Sequence, residues 1–182
     1  MPNTLPNTTS RKEFKKKIQI ASKNSFANFS FMFGGTNDNI DEIKKLKRML
    51  VNGECDVAIG SRYLEGVSVV NWPLSRIFLS YFANIYVRLI TCMPVKDSTS
   101  GFVGYKIEAL SSLDINKIKF NGYAFQIEMK FKLWKKKFKL KEHQIIFVNR
   151  EHGDSKMNKN IIFEAIIGVI KLKFNSIFNK NE

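Results

Sequence analysis

Short apolar runs, each closed by a glycine or a polar block and separated by stretches of helical period, restrict this chain to a layered α/β fold. The run Asp56 to Gly60 (DVAIG) lies between Gly53 and Gly60 and is too short for a helix, so it reads as a buried strand. Phe102 to Tyr105 and Gln144 to Val148 (QIIFV) read the same way. The aromatic run Phe26 to Phe33 reads as a further strand, stopping at Gly34 and Gly35. Between these runs the pattern turns helical. Asp41 to Val51 has its acids first and its bases later, the order a helix dipole favours. Pro73 to Leu89 begins with proline near the first turn, and Ile107 to Leu113 is a shorter candidate. Ala124 to Lys137 places Ile127, Phe131, Trp134 and Phe138 on one stripe, with Lys130, Lys132, Lys135 and Lys136 expected on its solvated side. Asn160 to Phe178 is a last amphipathic helix. Strands alternating with helices predict an α/β fold whose mixed, mainly parallel sheet is flanked by helices.

A chain of 182 residues with 44% hydrophobic content can bury the core that such a fold needs. Thirty basic against 16 acidic residues give a net charge of +14. That balance favours polyanionic partners, among them nucleic acid, an anionic membrane face, and nucleotide or lipid phosphates. No nucleic-acid signature accompanies it, so no specific nucleic acid is expected. Cys55 and Cys92 are too few for a disulfide scaffold, which points to a reducing compartment. His143, His152 and the cysteines lack zinc-ligand spacing. Residues 1–25 are polar and weakly patterned, with no apolar stretch of the signal-peptide kind, and no run is long enough to span a membrane.

Function concentrates in polar blocks that end or interrupt the apolar runs: Ile59 to Gly66, Asn71 to Arg76, Asp97 to Phe102, Gly122 to Glu128 and Asn149 to Met157. Several set Arg or Lys beside Ser, Thr or Gly, the chemistry of phosphate capture. Arg62 follows a predicted strand, where α/β sheets place ligands, although a surface Arg after a turn reads the same. Arg76 and Ser80 are one helical turn apart and share a face, either to grip one phosphate or to meet solvent. Glu128, on the border of an apolar stripe, is either a buried partner for an arginine or the i,i+4 partner of Lys132. Arg150, His152, Ser155 and Lys156 form a donor-rich loop.

In combination the blocks are more specific than any one of them. DVAIGSRY, NWPLSR, TSGF, GYAFQIEM, the Glu142 that opens KEHQIIFV, and REHG-SKM resemble, in order and spacing, the polyprenol-phosphate (dolichyl-phosphate) mannose synthases. These are inverting glycosyltransferases of family two with a GT-A fold. The resemblance runs from about Ile43 to about Lys173. It implies transfer of mannose from GDP-mannose to a polyprenyl phosphate, or of another sugar by the same chemistry, in glycolipid biosynthesis. By the same resemblance Arg62, Arg76 and Ser80 would hold the acceptor phosphate, and Arg150, Ser155 and Lys156 the donor. Asp97, Gln126 and Glu128 would be catalytic, with Ser100 lining the same pocket.

The departures are as informative. The family's opening segment for the nucleotide base has no counterpart here, and its DxD motif for Mg²⁺ or Mn²⁺ falls on Phe33, Gly34 and Gly35. Asp38, three residues on, is one carboxylate where a hard divalent ion needs several oxygens. Asn149 and Gln144 stand where the family often has Asp and Pro. The expectation is therefore an atypical leader over 1–25, the C-terminal part of a GT-A domain over 26–158 and a basic amphipathic helix over 159–182. Such a truncated or frame-shifted product would be catalytically impaired, or a non-catalytic subunit keeping the acceptor side. A lipid acceptor also implies cytoplasmic, peripheral work on the inner face of the cell membrane. Ile77, Tyr81 and Ile85 of the first long helix and Ile162, Ile166, Val169 and Ile170 of the last, near Lys171, Lys173 and Lys180, either meet its anionic surface or, for much of each helix, cover the sheet.

Overall fold

The computed structural model describes residues 30–31, 40–114, 117–148 and 159–178. Its strands are β1 (Ser30–Phe31), β2 (Val57–Ser61), β3 (Val69–Val70), β4 (Val103–Tyr105), β5 (Leu140–Gln144) and β6 (Phe147–Val148). Its helices are α1 (Ile40–Val51), α2 (Leu74–Thr91), α3 (Ile107–Ser111), α4 (Gly122–Lys135) and α5 (Lys159–Phe178). The expected α/β architecture is present. Among the described residues a four-stranded sheet runs in the order β1-β4-β2-β5, and β3 and β6 form a separate parallel pair. β2 lies parallel to β5 and antiparallel to β4, which in turn pairs antiparallel with β1.

β2 organises the molecule because all five of its residues are buried. Side chains alternate across a strand, and the two faces of β2 enter two different cores. Val57 and Ile59 join a cluster with Val87 of α2, Ile127 and Leu133 of α4, and Val169 and Leu172 of α5. Ala58 joins Leu46, Met49 and Leu50 of α1, with Phe102 and Ile145. Gly60 is next on that second face, where an added Cβ would run into Phe102 and Ile145. α1 carries Asp41 and Glu42 in its first turn and Arg48 in its last, as its dipole prefers. α2 starts after Pro73 and stops at Cys92, which adopts a left-handed conformation (φ 61°) and returns its N–H to Arg88 O.

Four expectations need correction. Lys130 is not on a solvated face: it is fully buried, because it falls between Ile127 and Phe131 on the apolar stripe of α4. The run QIIFV is not one strand. β5 begins at Leu140 and ends at Gln144; Ile145 donates its N–H to Ser61 O, and the chain then leaves the main sheet to pair as β6 with β3. The register of β5 is set by backbone pairing with β2, which the polar residues Lys141, Glu142 and His143 satisfy as well as apolar ones. The exposed apolar stripe of α2 is also a different one. Ile77 and Ile85 are half-buried, while Leu74, Phe78, Phe82 and Leu89 face outward with Tyr81. On α5, Val169 is buried against the core, and the outward residues are Ile166, Ile170 and Phe174. Ile162 and Lys180 lie outside the residues whose side chains are described.

Candidate functional site

The packing of α5 across α2 and α4 leaves a cavity of about 330 Å³ beside the end of β2. Leu79, Phe82, Ala83, Tyr86 and Val87 of α2 form one wall. Ile127 and Tyr123 of α4 and Ala165, Ile166 and Val169 of α5 form the others. At one end the lining turns polar, with Arg62, Trp72, Ser80 and Thr99.

That polar end is built from the residue after β2 and from the segment 97–101. Asp97 is completely buried, and each of its oxygens is engaged. Oδ2 accepts from the Arg62 backbone N–H at 2.9 Å and from Arg62 Nε at 2.7 Å. Oδ1 accepts from Arg62 Nη2 at 2.6 Å and from the Thr99 hydroxyl at 3.2 Å. Arg62 Nη2 also donates to Thr99 Oγ1 at 2.8 Å. Asp97 thus takes the Nε/Nη2 edge of the guanidinium of Arg62, a residue that lines the cavity. Burial works against the Arg62 charge, but the hydrogen bonds and charge of Asp97 outweigh it and hold the group more firmly protonated than a free guanidinium.

The segment is itself fixed from three sides. Asn84 of α2 accepts from Ser98 Oγ and from the Thr99 N–H, and its amide donates to Thr99 Oγ1. Ser100 donates to Gly60 O at 2.6 Å. Glu142 of β5 accepts from the backbone N–H groups of Lys96 and Asp97 at 2.8 and 2.9 Å. From α4, Lys130 Nζ donates to the carbonyls of Ser98 (3.0 Å), Ser100 (2.7 Å) and Gln126 (3.3 Å). Burial pushes the Lys130 ammonium down to about 7, although Asp97 opposes that shift.

Of the expected acceptor residues, Arg62 and Ser80 line the cavity together. Arg76 stacks its guanidinium 3.8 Å from the centre of the Trp72 ring, and Arg62 lies 5.3 Å from the same ring. Trp72 therefore links the two arginines. Of the expected catalytic residues, Asp97 lies behind Arg62, and Gln126 is half-buried, with its side-chain amide facing Gly101. Glu128 lies elsewhere. It is buried, accepts from the N–H groups of Lys119 and Phe120, and pairs with Lys132 at 2.9 Å, so of its two readings the i,i+4 pair is the one realised. Arg150, His152, Ser155, Lys156, Asn149, Asp38 and the stretch Phe33 to Gly35 lie outside the described residues.

Sequence reasoning named neither Asn84 nor an individual role for Thr99, and it put Lys130 on the solvated side of its helix. Their signals were present: Asn84 follows Ser80 by one turn, and Lys130 interrupts an apolar stripe at the i+3 position. Among the described residues no group of three or more His, Cys, Asp or Glu side chains converges on a point that would hold a metal. The carboxylates at the site do not fit a divalent ion, since Asp97 is engaged by Arg62 and Thr99 and Glu142 by backbone amides. An apolar cleft with a positively charged end suits a ligand that joins an anionic head to a hydrocarbon tail.

No family model matches the chain. It is 38% identical over 128 residues to a polyprenol monophosphomannose synthase of Mycolicibacterium smegmatis, covering 69% of this chain and 48% of that protein. Over 116 residues it is 36% identical to an undecaprenyl-phosphate mannosyltransferase of Micrococcus luteus (64% and 48%). Over 132 residues it is 33% identical to a dolichol-phosphate mannosyltransferase of Pyrococcus furiosus (71% and 36%). The relatives are named as mannosyltransferases or mannose synthases, and the mixed α/β sheet with flanking helices belongs to the stretch they share with this chain. Over the matched stretch it is a homologue of the polyprenyl-phosphate mannosyltransferases, and it spans about half the length, or less, of these curated relatives.

Proposed function

We propose that this chain takes part in the transfer of mannose from GDP-mannose to a polyprenyl phosphate, and that the cavity receives the acceptor. The observation that carries this reading is an apolar cleft that has the buried, Asp97-bound Arg62 among its lining residues. The first isoprenoid units lie between α2 and α5, and the phosphate meets Arg62, with Ser80 and Thr99 alongside. A phosphate oxygen is already anionic at neutral pH, so the attack on the anomeric carbon needs no strong base. As the new carbon–oxygen bond forms from the face opposite the nucleotide, the bond to the diphosphate breaks and GDP leaves with the electron pair. In this scheme Arg62 fixes the nucleophile, and Asp97 keeps the guanidinium pointed at it.

The lipid tail requires contact with a bilayer. Leu74, Phe78 and Phe82 of α2 and Ile166, Ile170 and Phe174 of α5 are exposed on the two helices that border the cleft. They would enter the inner face of the cell membrane peripherally, with Arg88, Lys171 and Lys173 near its anionic head groups. Among the described residues no helix is long and apolar enough to cross a membrane.

Binding of farnesyl phosphate and of farnesol by the full chain tests the acceptor reading. The phosphate should bind more tightly, and Arg62→Lys, which keeps the charge but loses the fork, should weaken the phosphate roughly tenfold while leaving the alcohol unchanged. Equal affinity for the two ligands would remove the reading. Mannosyl lipid formed from GDP-mannose is the corresponding measurement for transfer.

A further inference from the structure

Lys130 is the buried charge for which the proposed reaction has no use. It lies on α4 with no exposed surface, where a methionine would fill the same volume without the cost of desolvating an ammonium. Its three N–H groups meet three carbonyls, the full donor set of a protonated lysine. Two of those carbonyls, Ser98 and Ser100, flank Thr99, whose hydroxyl accepts from Arg62 and donates to Asp97. The ammonium therefore holds, from α4, the same short segment whose Asp97 and Thr99 engage Arg62.

We infer that Lys130 is a positioning residue for the anion: it clamps the 97–101 segment to α4 and places a second positive charge behind Arg62. The charged groups facing it are Asp97 in that segment, Arg62 at the end of β2 and Glu142 on β5. With Lys130 protonated, Arg62 and Lys130 balance Asp97 and Glu142; once Lys130 gives up its proton the four groups carry a net negative charge, which opposes an incoming anion. This inference rests on the acceptor reading in taking the anion to be the head group of a prenyl ligand.

The test compares farnesyl sulfate, whose charge does not change across neutral pH, with farnesol. Binding is read from the fluorescence of Trp72 in a Trp134→Phe background. In the otherwise native chain the sulfate should lose affinity roughly tenfold between pH 6 and pH 8.5, as Lys130 gives up its proton, while farnesol stays level. In Lys130→Met the sulfate should bind with the lower affinity at both pH values, and in Lys130→Arg the pH dependence should vanish. A sulfate affinity that is flat with pH in the native chain overturns the inference even if Lys130→Met does not fold. So does a folded Lys130→Met that binds the sulfate as tightly as the native chain at pH 6. If the native chain does not distinguish sulfate from alcohol at pH 6, the acceptor reading fails first and takes the inference with it.

Discussion

Asp97 receives four hydrogen bonds on its two oxygens, three of them from Arg62, and has no surface of its own. A carboxylate so committed acts through the group it holds. Removing one partner of a buried ion pair typically costs about 3–5 kcal/mol, because the other charge is left uncompensated. Asp97→Asn is therefore expected to lower the urea midpoint strongly. Lys130 makes the complementary case through pH. Burial lowers it to about 7 in the folded chain, whereas in the unfolded chain it titrates at an ordinary lysine value. Between those two values the unfolded state binds the extra proton, so the Lys130 contribution to stability rises with pH from about 7 to about 10 and is at its worst below 7. Urea unfolding at pH 6 and pH 9 should show the native chain gaining stability relative to Lys130→Met across that interval. A constant difference between the two proteins would contradict the assignment.

At the level of elements, β2 allows little change because it is sandwiched between two cores. Gly60→Ala would drive a methyl group into Phe102 and Ile145, with Ile145 Cδ1 3.1 Å away, in a strand bonded on both sides. Overpacking of this kind costs about 1–3 kcal/mol. Thermal melting should place Gly60→Ala well below the native chain, whereas Gly53→Ala, with open space around it, suffers only the strain of its positive φ (72°). The same strand shows what a sequence can disclose. DVAIG was legible because a strand buried on both faces has to be apolar throughout, and α1 and α2 were legible from acids, prolines and period. β5 was hidden because its neighbour supplies half of its hydrogen bonds whatever its side chains are. Lys130 was misplaced by the ordinary rule that lysines face water, a rule that three backbone carbonyls override here. Arg62 and Ser80 could be picked from the polar blocks, but that Asp97 serves Arg62 across 35 residues is a fact of tertiary packing alone.

For the whole molecule, the net charge of +14 and the outward apolar residues of α2 and α5 act together at a surface. Co-sedimentation with anionic vesicles should be strong at low salt and fall as salt screens the charges. Phe78→Ser with Phe82→Ser should reduce it at every salt concentration, since those residues are 58% and 61% exposed and support no core. Vesicle binding unaffected by both the salt and the double substitution would rule out that orientation.

The bonds that tie Arg62 to Asp97, and Asp97 to Glu142 on β5, also have a consequence in time. The N–H of Arg62 ends on a buried carboxylate, and the N–H of Asp97 ends on a side chain of the strand next to β2. Both amides belong to residues that are buried, Arg62 at 6% and Asp97 at 0% exposure, and both are held by carboxylates. In hydrogen exchange, these two loop amides should therefore be as slow as those in the middle of β2, exchanging only when the whole domain unfolds. A ligand arriving at Arg62 would then meet a surface already set, with no local ordering left to do.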